Sequence, residues 1–459
     1  MSNQEKIPRI RFSEKLGFAS FSTASNVVFN FKSIFYLFFL TNVMGIRIEH
    51  AGIITAVGIL WDAVNDPLVG FWATNHTFKN GEKVHPFALY CAIPWAISVV
   101  LMFTCFNVGY WFRFSLAMMI YFIFELLNTF VAIPYNSMGS LATKNDADRR
   151  SINIARNLGG CIGSGIGGVA LYPLLRLFGG LDEAGNVLQN EMGRRAFLFS
   201  AMVMGCVCII GCFAHYFTTK ERVHQISDDQ SKLSVKQVFK MLIHCKSWVL
   251  NTCYIICYGL LNMLVMNNLN YYASYVLGSA AAATPILAIY LVISIIATLS
   301  TGFIDKALGR RKTMIFAAVI YVLGKIWFII DPYTIGAIYM NAFSVAIAMA
   351  ITFVMFNTNR NNIVDLIEWK NDRRIDSLVS TCDNLAAKLS EAAGNLVMTQ
   401  VLGIMGFNAA LASQPQSAIK TVCAFLGWVP ALIAVIMLIV TIFHPIEKEM
   451  REMKELQEV

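Results

Sequence analysis

SWVLNTCYIICYGLLNMLVMNNLNYYASYVLGSAAAATPILAIYLVISIIATLSTGFI, residues Ser247 to Ile304, contains no Asp, Glu, Lys, Arg or His. A soluble domain carries about one charged residue in four, so a charge-free stretch of this length is matched to lipid. The rest of the chain agrees: of 459 residues, 57% are hydrophobic and only 14% charged, against roughly 45–50% and about 25% in soluble domains. The composition excludes a soluble fold. The polar start, MSNQEKIPRIRFSEK, has no short apolar core followed by a small-residue cleavage site, so it is not a secretory signal and insertion falls to the chain's own helices. The 11 cysteines lie mostly inside apolar runs, without CxxC pairs or His at metal spacing, and read as small core residues.

A spanning helix needs about 20 mostly apolar residues. That requirement predicts an all-α membrane protein with twelve transmembrane helices, near 17–43, 51–74, 86–107, 114–136, 151–175, 196–218, 247–275, 283–304, 313–330, 333–356, 377–404 and 419–443. Of the 36 Lys and Arg, 26 fall in the N-terminus, the even-to-odd connections and the tail, and 6 in the alternate connections. By the positive-inside rule both termini are cytoplasmic, in a cell (inner or plasma) membrane. The net charge of +8 is thus a topology signal and implies no nucleic-acid partner. The longest polar connection divides the chain into an N-terminal six-helix half (1–218), a cytoplasmic central loop (219–246) and a C-terminal six-helix half (247–443). A polar tail (444–459), readable as a short surface helix, follows.

Charges inside spans are costly and mark functional candidates. In span two, Leu60-Trp61-Asp62-Ala63-Val64-Asn65-Asp66-Pro67 places Asp62, Asn65 and Asp66 on one helical face. Pro67 lacks the N–H that the Ala63 carbonyl needs. This hard-oxygen set suits a small cation or a proton shared between two acids; a polar network pinning helices is the structural alternative. Span four adds Glu125, Thr129, Ala132 and Asn136 along one face, and Thr129 can complete the oxygen shell.

Span one carries Ser22, Ser25, Asn26, Asn30 and Ser33, flanked by Lys32. Span five carries Asn153, Arg156, Asn157 and Ser164, with glycines at 159, 163 and 167 as a close-packing edge. The Arg156 fork suits paired hydroxyls or a carboxylate, and equally an ion pair locking the helix end. Span eleven mirrors this with Ser377, Thr381, Asn384, Lys388, Asn395 and Thr399, and Glu391 one turn from Lys388. Tyr258, Asn262 and the run Asn267 to Tyr272 in span seven add amides and aromatic faces suited to a polyol. Lys325, alone in span nine, is expected to snorkel or pair.

LWDAVNDP (60–67), AIPYNSM (132–138), DRRSINIAR (148–156), FTTKERV (217–223), NYYASYVLG (270–278), VDLIEWKNDRR (364–374) and the Lys388 segment with LGIMGFN (402–408) resemble, in order, the glycoside-pentoside-hexuronide:cation symporters, the melibiose permease family. DKALGRRK (305–312) resembles the Asp-to-Gly-Arg-Arg loop of the wider major facilitator superfamily. The resemblance implies a major facilitator fold and sugar uptake driven by Na⁺, H⁺ or Li⁺, with no other cofactor. By matching position it implies cation ligands at Asp62, Asn65, Asp66 and Thr129, and sugar contacts at Asn26, Ala132, Asn136, Arg156, Phe353, Asn384 and Lys388; Asn30 joins them from the stripe on span one. Asn26 and Ala132 stand where the melibiose branch has aspartates, and Asn136 replaces a tryptophan. That loss of acids favours an anionic hexuronide over a neutral galactoside, unless Glu125 and Glu391 offset Arg156 and Lys388.

The sequence therefore predicts a non-enzymatic symporter whose partners are a sugar, a coupling cation and the lipid bilayer. Its sugar cleft is expected among spans one, four and five and spans seven, ten and eleven. A lysolipid or amphiphile:cation symporter is the competing transporter, and a transporter-like membrane sensor the competing class.

Overall fold

The structure, a computed structural model, describes residues 9–78, 81–143, 145–222, 241–371, 376–411 and 413–457. Most of the predicted loop 219–246 and the last residues of VDLIEWKNDRR lie outside them. Among the described residues the regular elements are helices, apart from one isolated bridge between Leu181 and Val187. The helices are α1 (Phe12–Asn42), α2 (Ile48–Asn75), α3 (Phe87–Tyr90), α4 (Ala92–Met102), α5 (Tyr110–Ala142), α6 (Asp146–Val169), α7 (Leu171–Leu177) and α8 (Glu191–Thr218). They continue with α9 (Lys246–Tyr275), α10 (Ala283–Leu308), α11 (Arg310–Ile330), α12 (Ile335–Asn371), α13 (Asp376–Ile404), α14 (Gln416–Leu426), α15 (Trp428–Ile442) and α16 (Ile446–Gln457).

Each of the twelve predicted spans is helical. Nine helices among the described residues are long and apolar enough to cross a membrane, or ten if a pair bent by 51° counts as one span. The shortfall has local causes. Proline removes an N–H and crowds the carbonyl four residues earlier. Pro94 does this to Tyr90, where α3 gives way to α4, and Pro173 to Val169, where α6 gives way to α7. The 29-residue α13 is long enough, but Asp383, Asn384, Lys388, Glu391 and Asn395 make it polar. Span ten is longer than predicted: α12 runs on to Asn371 and absorbs VDLIEWKN.

Pro430 crowds Leu426 in the same way, and there α14 breaks from α15 at Gly427. The Leu426 carbonyl is taken instead by Lys325 Nζ at 2.7 Å. Lys325 is fully buried, with its ammonium 5.0 Å over the Tyr321 ring. Of the two expectations, snorkelling is corrected and pairing takes a different form: Lys325 caps a carbonyl that proline has orphaned.

The chain divides into two compact units, Met1–Asp229 with Gly278–Thr284, and Gln230–Leu277 with Pro285–Val459. In the first, α6 lies directly on α1. A Cβ on Gly159, Gly163 or Gly167 would sit 2.2, 2.2 or 2.3 Å from the backbone oxygens of Ala19, Thr23 and Val27. Ser22 Oγ also donates to the Arg156 carbonyl at 2.7 Å and Thr23 Oγ1 to that of Gly159 at 3.1 Å. Phe18, Phe21, Trp95, Tyr135 and His215 form an aromatic core behind this contact.

In the second unit Tyr254, Leu261, Ala317, Tyr321, Met349 and Met437 belong to one buried cluster. A separate cluster joins Trp248, Ile363 and Ile367 to Ile446 and Met453 of the tail helix α16. The tail is therefore docked along one face. Glu447 accepts from the Arg311 N–H at 3.4 Å, just after Gly309, whose φ of +82° turns the DKALGRRK loop.

Candidate functional site

Three of the predicted residues converge on the hydroxyl of a fourth. Thr129 Oγ1 lies 3.3 Å from Asp62 Oδ1, 3.1 Å from Asp66 Oδ1 and 2.9 Å from the Glu125 carbonyl. Asn65 Nδ2 donates to the same hydroxyl at 2.9 Å and to the Glu125 carbonyl at 3.3 Å. Asn65 and Thr129 are buried, and the two aspartates are partly exposed. The helical spacing Asp62, Asn65, Asp66 puts all three on the side of α2 that meets α5, and Trp61 Nε1 fixes the same contact by donating to the Phe122 carbonyl at 3.2 Å.

A hydroxyl has one proton, so it can satisfy only one of three surrounding acceptors. Two carboxylates turned to one small group repel unless positive charge comes between them. The oxygens at hand are hard donors, which suit Na⁺ or Li⁺. No group of three or more His, Cys, Asp or Glu suited to a metal is assembled among the described residues. One detail departs from the simplest expectation. Asn65 turns its NH₂ toward Thr129, because the neighbouring Glu125 carbonyl can only accept.

On α1, Asn26 and Asn30 form a ladder. Asn26 Nδ2 donates to the Ser22 carbonyl at 2.9 Å, and Asn30 Nδ2 donates to the Asn26 carbonyl at 3.0 Å and to Ser164 Oγ of α6 at 3.1 Å. Ser164 Oγ donates in turn to Asn26 Oδ1 at 3.4 Å. Arg156 lies beside this ladder, with its guanidinium 4.1 Å over the Tyr135 ring. Its Nη2 donates to the Tyr135 carbonyl at 2.6 Å and to Asn136 Oδ1 at 3.4 Å. Among the described residues no acid pairs with it, and its hydrogen bonds run from Nη2. Gly139 makes the room, since a Cβ there would come within 3.1 Å of Nη1.

The three candidates of the second unit are described by themselves. Phe353 of α12 is 49% exposed, 6.0 Å from the Tyr258 ring and 5.3 Å from Phe356. Asn384 is exposed and Lys388, one turn along α13, is half-buried.

Two buried ion pairs escape a linear reading of the sequence. Glu125 pairs with Lys32 of α1 at 2.6 Å, so it does not offset Arg156. Asp383 of α13 takes Arg360 Nε of α12 at 2.8 Å and Trp248 Nε1 of α9 at 3.2 Å. The available signal was general: a charge inside a span requires an opposite charge on another span.

Repeated apolar helices carrying acids, amides and cations make a multi-pass membrane protein, and its family makes it a transporter rather than an enzyme. The model of the family described as MFS/sugar transport protein matches residues 17–448, and the chain belongs to that family. The isoprimeverose transporter of Lactiplantibacillus pentosus is 25% identical over 96% of this chain and 90% of its own length. The inner membrane symporter YicJ of Escherichia coli (strain K12) is 24% identical over 91% and 88%. In fold, the chain resembles a bacterial homologue of the human lysosomal transporter Spinster, solved inward-facing and unoccupied. Their TM-score is 0.66 at 14% identity, covering 96% of this chain and 97% of that one.

Proposed function

We propose that this chain imports a sugar (a glycoside, pentoside or hexuronide) by symport with Na⁺, with Li⁺ or H⁺ as alternatives. The observation that carries the reading is the meeting of the Asp62 and Asp66 carboxylates on the Thr129 hydroxyl, to which the Asn65 amide donates from beside them. Na⁺ is preferred over H⁺ because the Thr129 hydroxyl, and the Asn65 amide once its oxygen is turned to the cluster, can help hold a metal ion but take up no proton at working pH.

The substrate is assigned to Asn26, Asn30, Asn136 and Arg156 in the first unit and to Phe353, Asn384 and Lys388 in the second. A hexuronide is favoured, because Arg156 of α6 uses one nitrogen on Tyr135 and Asn136 of α5, which leaves the other side of its fork to face a carboxylate. The membrane is the cell (inner or plasma) membrane, with both termini cytoplasmic; the charge bias of the loops and the relative named an inner membrane symporter support this.

The test is uptake of a panel of labelled sugars into sealed vesicles under imposed Na⁺ or H⁺ gradients. A hexuronide accumulated with the Na⁺ gradient is expected. Uptake indifferent to Na⁺ and Li⁺ but abolished by a protonophore would reassign the ion, and no accumulation of any sugar in the panel would defeat the substrate class.

A further inference from the structure

Lys32 and Glu125 form an ion pair at 2.6 Å, with side chains 12% and 1% exposed. The ammonium also lies 5.5 Å from each of the Phe29, Tyr121 and Phe124 rings, whose faces attract a cation. This pair adjoins the cluster on Thr129. The Glu125 carbonyl accepts from both Thr129 and Asn65, and the Glu125 side chain leaves α5 one turn from Thr129, on the same face. The residue that holds the ammonium is thus one helical turn from the hydroxyl on which Asp62 and Asp66 meet.

A lysine ammonium is a compact monovalent cation on a flexible four-carbon stem. Tethered beside two carboxylates, it acts at a high effective concentration and competes with any free monovalent ion for the same oxygens. Glu125 is the group that holds it elsewhere.

We propose that Glu125 parks the Lys32 ammonium away from the Asp62–Asp66 pair and so keeps an internal cation from competing with the coupling ion. The inference rests on the reading of Asp62 and Asp66 as ligands of that ion. Glu125 is then a positioning residue, acting through Lys32 on ion affinity, and the pair ties α1 to the site.

Na⁺ alone is the probe. The purified full-length protein is titrated with Na⁺ at constant ionic strength, which makes the readout independent of the sugar. Glu125→Gln, which frees the ammonium, is expected to weaken Na⁺ binding at least about tenfold, a coupling of ordinary size between neighbouring sites. Lys32→Met combined with Glu125→Gln removes competitor and holder together, a swap that buried ion pairs commonly tolerate. It is expected to bind Na⁺ within about threefold of the wild type. Wild-type affinity in the single variant, or a double variant as weak as the single, overturns the proposal. If the single variant does not fold, the double variant decides alone, because loss of Na⁺ binding there would make the pair part of the ligand set. Undiminished binding in Asp66→Cys, or no Na⁺ binding in the wild type, would instead remove the ligand assignment itself and the proposal with it.

Discussion

The hydroxyl oxygen of Thr129 on α5 lies 3.1 Å from Oδ1 of Asp66 on α2, so the middle of one helix reads the carboxylates of another. Residues 63 positions apart in sequence share a single proton there. The geometry gives each member of the cluster a separate, testable role.

Asp66 supplies one of the two carboxylates that face the Thr129 hydroxyl. Asp66→Cys should reduce gradient-driven sugar accumulation at least about tenfold, the size of a typical coupling between two ligands, while leaving some sugar binding. Paired measurements of counterflow and active uptake check this. Concentration of sugar by the variant at the wild-type level would exclude Asp66 as a ligand.

Thr129 offers one hydroxyl to several partners. Thr129→Val removes the hydroxyl that accepts from Asn65 Nδ2 and faces both aspartates, a loss of about 1–3 kcal/mol, so the Na⁺ half-saturation should rise. Thr129→Ser keeps the oxygen and should stay near the wild type. Equal effects of Val and Ser would point to packing instead.

Arg156 should distinguish charged from neutral sugars. A carboxylate on its fork gains two charge-assisted bonds, each roughly twice as strong as a neutral one, and Lys cannot reproduce them. Arg156→Lys should therefore weaken inhibition by a glucuronide much more than by the matched glucoside. Equal inhibition by the two sugars in the wild type would leave neutral glycosides or pentosides as the better substrate class.

Gly163 is a stability position. A Cβ there would meet the Thr23 carbonyl oxygen at 2.2 Å, and overpacking of that kind costs about 1–3 kcal/mol. Gly163→Ala should lower the Tm of the purified protein. Gly165→Ala, where nothing lies within 4 Å, is the control and should not. A Gly163→Ala variant as stable as that control would show that α1 and α6 can separate without penalty.

The sequence by itself determined the all-helical membrane class, the family, and the face of α2 that carries Asp62, Asn65 and Asp66. These follow from hydropathy summed over a span and from helical periodicity, which are local properties. Its segment ends were less secure: α12 runs past the predicted end of span ten because an amphipathic extension is no longer apolar yet stays helical. Only the tertiary structure decided which buried charges meet. Lys32 lies on α1 and Glu125 on α5, and nothing in their spacing along the chain specifies the pairing. Lys325 shows the same limit. Pro430 announces in sequence that the Leu426 carbonyl lacks its donor, but which side chain supplies one depends on how α11 packs against the break between α14 and α15. A charge in a low-dielectric interior must find a partner, and that partner is chosen by proximity in space, which periodicity along one helix does not encode.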